Sequence, residues 1–334
     1  MSPSTTHDAH VMQCMEIWGG NLEMDTGVEA QGLDAWVFSR PYTRGVSASQ
    51  GAEARAGGDI YYLTSCATGR ITRMLVADVS GHGEAVAEAA RSLKRLLGEY
   101  ANFVDQSRFV SAVNRRFGDI GVGDTGLFAT AVVATYFSPT DELTICSAGH
   151  PPALHYEAKS RSWQALAPER GEGSRPSNLP LGVLDDAVYL QRTLTLDAGD
   201  AVLFFTDALI EAAAPGGRQL GVEGLVSLAR SLDASPGDGF LGAMLGGLDA
   251  YRRTGEVGAP GSGEPAPFDD DVTLVLVRRN EHKPSPSVAL GLTAGLRIAR
   301  NVVTSLAHGL APALPEFSVR ALGGAFAQGL NRRR

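Results

Sequence analysis

The sequence predicts an antiparallel α+β fold. Strand-like runs outnumber helical ones, and most come in pairs joined by a short turn, the pattern of hairpins rather than of a doubly wound parallel sheet. No internal repeat is present.

In chain order, IYYLT and ITRMLVADV flank CATGR, a turn sequence around Gly69, and predict a first hairpin whose second strand reaches Asp78. After the GHG turn, EAVAEAARSLKRLLGEYA places Val86, Ala89, Leu93, Leu96, Leu97 and Tyr100 at helical spacing. A second helix over about 107–117 carries Phe109, Val110, Val113 and Phe117 on one face. FATAVVATYF and ELTICSAG, joined by SPTD, predict another hairpin. Residues 157–180, rich in Glu, Arg, Gly, Ser and Pro, read as an exposed loop, and the strands YLQRTLTL and AVLFFT follow. Short helices within 221–253 precede the Gly/Pro loop TGEVGAPGSGEPAP and a last strand, DVTLVLVRR. Beyond Pro286, Leu292, Leu296, Ala299, Val303, Leu306 and Leu310 step by three and four, while Arg297, Arg300, Asn301 and His308 lie off that stripe, which predicts an amphipathic C-terminal helical tail.

A chain of 334 residues with 44% hydrophobic content can build a substantial core. Cys14, Cys66 and Cys146 form no CxxC pair, so neither a disulfide framework nor a zinc knuckle is expected, and a reducing cytoplasm fits. The first residues lack a basic and apolar leader, and no run has the length of a membrane span. The net charge of -8 is uneven: from Glu281 onward seven Lys or Arg face two acids, so the acidity belongs to the body. An acidic body argues against nucleic-acid binding and is suited to holding cations.

One device recurs in four segments. LVADVSGHG ends a strand on Asp78, AVLFFTDALIEA ends one on Asp207, AGGDIYYL starts one at Asp59, and PAPFDDDVTLVLV starts one after Asp269, Asp270 and Asp271. A single aspartate of this kind is ordinarily a turn residue bonding its own backbone. Four that converge would repel, each close pair by about 4 kcal/mol at 4 Å in an effective dielectric near 20, and so require cations. All-oxygen donors without His or Cys select hard ions such as Mg²⁺ or Mn²⁺. Gly57, Gly58, Gly81 and Gly83 flank Asp59 and Asp78 and allow close approach of backbone and ligand. Two ions sharing a carboxylate, with water as nucleophile, suit phosphoryl transfer.

At these residues the sequence resembles the SpoIIE-type branch of the PPM, or protein phosphatase 2C-like, metal-dependent phosphatases. The likeness runs in order through AGGDIYYL, LVADVSGHG, LFATAVVATYF, LTICSAGHPPALHY, LPLGVL, LTLDAGDAVLFFTDALIEA and FDDDVTLVLV, over about residues 50–278. It implies a four-layer αββα sandwich, two Mn²⁺ or Mg²⁺ ions, and hydrolysis of phosphoserine or phosphothreonine by metal-bound water without a phosphoenzyme. By the same resemblance Asp78 bridges the two ions, the Val79 carbonyl and Asp59 serve the second, Asp207 serves the first, and Asp270 is the first acid of the DDxT motif, with Asp271 in a supporting position. Tyr62 stands where the family often carries an acid, and Ala208 where it carries Gly.

The expected organisation is a lead-in at 1–49, a phosphatase domain at 50–280 and a basic amphipathic tail at 281–334. The expected partner is a phosphoprotein, with anti-sigma antagonists as the family's usual substrates. The tail implies packing on this chain, a second copy or a regulatory partner, with peripheral membrane contact as the alternative. GGDI resembles the GGDEF signature of diguanylate cyclases, but the acid and Phe that complete it are missing. His82 reads as a solvated loop residue, and His150 and His155, beside Pro151 and Pro152, read as structural. The competing function is that of a pseudophosphatase, which binds a phosphoprotein without turnover.

Overall fold

Two six-stranded antiparallel sheets face each other, in the order β1-β4-β5-β6-β7-β10 and β2-β3-β12-β11-β8-β9, where the strands are β1 (Cys14–Gly20), β2 (Met24–Glu29), β3 (Leu33–Arg40), β4 (Asp59–Cys66), β5 (Ile71–Val79), β6 (Ala129–Phe137), β7 (Glu142–Ala148), β8 (Leu154–Glu157), β9 (Ser162–Ala165), β10 (Gln191–Thr195), β11 (Ala201–Phe205) and β12 (Val272–Arg279). The helices are α1 (Glu84–Tyr100), α2 (Gln106–Phe117), α3 (Ala208–Glu211), α4 (Gly221–Ser231) and α5 (Phe240–Thr254). The computed structural model describes residues 14–42, 56–66, 69–81, 83–100, 105–119, 126–167, 169, 176–232, 235–259 and 268–282.

Side-chain alternation builds the layers. Along β5, Leu75, Ala77 and Val79 turn toward α1 and α2, while Met74 and Val76 turn toward the opposite sheet. Along β11, Leu203 and Phe205 meet α3, α4 and α5, while Val202 and Phe204 enter the core between the sheets. A strand covered on both faces needs apolar residues at every position, which is why AVLFF is unbroken. The resulting order is helices, sheet, sheet, helices: the expected αββα sandwich. Asp105 closes the start of α2 by accepting the Arg108 N–H at 3.0 Å.

Two expectations require correction. Residues 1–49 are not a lead-in throughout, because β1 pairs with β4, β3 pairs with β12 and β2 pairs with β3, so residues 14–40 supply strands to both sheets. The loop expected at 157–180 contains β9, which pairs with β8. The amphipathic tail beyond Pro286 lies outside the described residues. Among the described residues no helix is long and apolar enough to cross a membrane.

Phe204 is 2% exposed between the sheets. Its truncation to Ala is expected to lower unfolding stability by about 3–5 kcal/mol, as measured by urea denaturation.

Candidate active site

The strand pairings fix where the acidic residues meet. Asp59 and Asp78 are direct partners across β4 and β5, so their side chains leave the same face. On that face Tyr61 and Val76 belong to the core between the sheets. In the other sheet, β11 and β12 run from Ala201 opposite Arg278 to Phe205 opposite Leu274. Asp207, just past β11, and Asp270 and Asp271, just before β12, therefore emerge at the same end. One sheet supplies Asp59 and Asp78, and the other supplies Asp207, Asp270 and Asp271.

Their electrostatics show the convergence. Asp78 is pushed up to about 7, first by burial and then by Asp207, Asp270, Asp271 and Glu211. Burial, followed by Asp78 and Asp271, raises Asp59, which is 3% exposed. Asp207 is raised by burial and then by Glu211. Among the described residues no three acidic, imidazole or thiol groups already stand at the spacing of a closed metal cage. The backbone instead sets the neighbourhood in which these carboxylates act on one another.

The paired glycines before Asp59 make this arrangement possible. A Cβ at Gly57 would collide with the Asp271 carboxylate, and one at Gly58 would lie 2.8 Å from the Val79 carbonyl oxygen. In the space left open, Asp271 accepts the Gly58 N–H at 2.5 Å and the Asp59 N–H at 3.3 Å, and on its other oxygen the Tyr42 N–H at 2.5 Å. The Val79 N–H donates to the Gly58 carbonyl at 3.3 Å, tying the two acidic strand ends together. Asp59 accepts the Thr206 hydroxyl at 2.8 Å.

Other residues singled out from sequence fall into place around this centre. Asp269 is an exposed acid 3.5 Å from Arg252. Ala208 lies within α3 and is not among the residues with positive φ, so its methyl meets no backbone penalty. Tyr62 leaves the face of β4 opposite to Asp59 and fills the core under α1. His82 lies outside the described residues. His150 is buried and pushed down to about 3 by that burial, so it is neutral, and its Nδ1 lies 2.9 Å from the hydroxyl of Thr130, the partner of Asp78 on β6. It therefore supplies no positive charge to the acids. His155 lies 3.8 Å from Asp200, remote from the cluster in the β8 and β11 pairing.

Glu211 was missed from sequence although it bears on both Asp78 and Asp207. Its position four residues after Asp207, one helical turn on, was the available signal.

Comparison with known proteins adds independent findings. Residues 68–280 match the family described as Stage II sporulation protein E (SpoIIE). A curated relative, the phosphoserine phosphatase RsbU of Bacillus subtilis (strain 168), is 29% identical over 94 residues, covering 28% of this chain and 26% of the relative. The match thus spans about a quarter of that relative's length. The solved RsbU and RsbW domains of a Mycobacterium tuberculosis protein align with a TM-score of 0.59 and 24% identity over 84% of this chain and 70% of theirs. The PP2C phosphatase domain of SpoIIE from Bacillus subtilis, with a fragment of its regulatory domain, aligns with a TM-score of 0.54 and 14% identity over 75% of this chain and 64% of that one. These two structures share the fold of this chain.

The raised acids have a consequence for stability with metal withheld. A folded Asp78 near 7 against 3.8 in a free chain means that the folded state holds a proton the unfolded state releases. That contribution is complete below about pH 4 and is lost as pH rises through about 7. In EDTA the melting midpoint is expected to fall across this window. Asp78→Asn should raise the midpoint above pH 7 and leave it nearly unchanged near pH 4.

Proposed function

The chain belongs to the SpoIIE family, and from that premise we propose that it is a divalent-metal-dependent protein phosphatase acting on phosphoserine or phosphothreonine. The observation that carries the reading is the meeting of Asp59, Asp78, Asp207 and Asp270 from four separate segments at one end of the sandwich. The charges acting most strongly on Asp78 there are other carboxylates. Such a set is unfavourable as a structural cluster and apt as an oxygen donor set for hard cations.

Asp59, Asp78, Asp207, Asp270 and the carbonyl of Val79 would hold two Mg²⁺ or Mn²⁺ ions. Ions so held supply a water nucleophile at neutral pH and offset charge on the phosphoryl oxygens. Asp78, on which Asp207, Asp270 and Asp271 all act, is the residue that would serve both ions. Asp271 holds the Gly58–Asp59 backbone, and neutral His150 closes the wall beside Thr130.

The proposed substrate is a phosphoprotein of partner-switching signalling, in particular an anti-sigma antagonist. The relative named as a phosphoserine phosphatase and the shared RsbU-type fold support this. The pseudophosphatase alternative drew on Tyr62 and Ala208. The place of Tyr62 in the core and the helical backbone of Ala208 weaken its grounds.

Hydrolysis of p-nitrophenyl phosphate should require Mn²⁺ or Mg²⁺ and stop in EDTA. Asp78→Ala should lower that turnover by roughly a thousandfold or more while the protein remains folded. Near-native turnover in this variant would remove Asp78 from the centre. Silence of the folded wild type with either metal would select the binding-module alternative.

A further inference from the structure

Asp59 is held by a chain of buried hydroxyls that the catalytic reading does not use. Thr206, at the end of β11, donates its hydroxyl to Asp59 Oδ2 at 2.8 Å, and its oxygen accepts the Thr273 N–H at 3.0 Å. The Thr206 N–H in turn donates to the Thr273 carbonyl at 3.0 Å. The Thr273 hydroxyl lies 3.0 Å from that of Ser39 on β3. All are sequestered from water: Thr206 and Thr273 are 0% exposed, Ser39 1% and Asp59 3%.

Proton counting gives the chain a direction. An ionised carboxylate only accepts, so Thr206 donates to it and uses a lone pair for the Thr273 N–H. Hydrogen bonds from both Thr206 and Thr273 favour the ionised form of Asp59, against the burial and neighbouring acids that oppose it. The Thr273 hydroxyl lies against that of Ser39, and either of the two can donate. Asp59 belongs to one sheet, whereas Ser39 and Thr273 belong to the other and Thr206 directly follows its strand β11. The contacts therefore cross the seam of the sandwich at the acidic end.

A fold in need only of satisfied polar groups would gain little from donors that maintain a buried carboxylate beside Asp78. Apolar residues of similar volume would fill the seam without that repulsion. We propose that Thr206, backed by Thr273 and Ser39, is a positioning residue that fixes the orientation of the Asp59 carboxylate toward a divalent cation. This rests on the metal-dependent reading of the site. It assigns a role to the threonine preceding Asp207 that is separate from the role of Asp207 itself.

The test is Mn²⁺ binding to the full chain, followed by calorimetry and by the electron paramagnetic resonance of free Mn²⁺, with melting in EDTA as the control for folding. Thr206→Val keeps the shape and removes the donor, so affinity should fall roughly 10- to 100-fold, while Thr206→Ser should stay within about threefold of the wild type. Thr273→Val, which retains the backbone N–H, should weaken binding in the same direction and decides the matter if Thr206→Val does not fold. Wild-type affinity in the folded valine variants, or an equal loss in Thr206→Ser, would overturn the positioning role and leave the phosphatase reading standing. Failure of the folded wild type to bind Mn²⁺ would overturn both.

Discussion

The contact between the two sheets is the interaction on which the other layers depend. Val76 and Val132 from one sheet meet Phe204, Val275 and Val277 from the other, and none is more than 3% exposed. Because helices cover the outer faces as well, the central strands have no watery face on which to display chemistry. Polar function is confined to strand ends and the connections beyond them. The aspartates occupy these places: the start of β4, the end of β5, the second residue after β11 and the residues before β12.

β12 shows how differently charge is handled at the two ends of the sandwich. At its C-terminal end, Arg278 lies 2.8 Å from Asp34 and Arg279 2.9 Å from Asp141, while Asp141 also accepts the Tyr136 hydroxyl at 2.8 Å. Those acids have basic partners and read as structural. At the N-terminal end, Asp270 and Asp271 join Asp59, Asp78 and Asp207, and the charges felt most strongly by Asp78 have the same sign as its own. At one end of the strand Asp34 and Asp141 face arginines, and at the other the charges that raise Asp78 are carboxylates. Protons relieve that repulsion in part, as the elevated Asp78 shows, and hard cations can relieve it more fully while organising a phosphoryl group.

The sequence revealed features fixed by short-range physics. The first hairpin could be read because IYYLT and ITRMLVADV are apolar runs around a glycine turn, and Asp78 stood out because charge follows such a run directly. β1 and β2 could not be read so easily. CMEIWGG and MDTGVE mix glycine and charge with apolar residues, and β1 finds its partner β4 only after 38 intervening positions. β8 and β9 span four residues each, too short for a period to establish itself. The hydroxyl chain was hidden for another reason: Thr206 and Thr273 are ordinary residues of a strand end and a strand until the pairing of β11 with β12 brings them together, 67 residues apart.

The glycine pair before Asp59 joins these levels. Read locally, Gly57–Gly58 is a flexible approach to a strand. In the fold its missing side chains make room for the carboxylate of Asp271, 213 residues away from Gly58, which takes up the N–H groups at 58 and 59. Each motif thus limits the other: a side chain at 57 would displace Asp271, and without a carboxylate at 271 those N–H groups would lose their acceptor at the strand end. With Thr206 holding the carboxylate of Asp59 and Asp271 holding its backbone, both contacts come from the opposite sheet. The position of Asp59 therefore depends on the two sheets docking correctly, which makes an intact sandwich a condition for assembling the acidic centre.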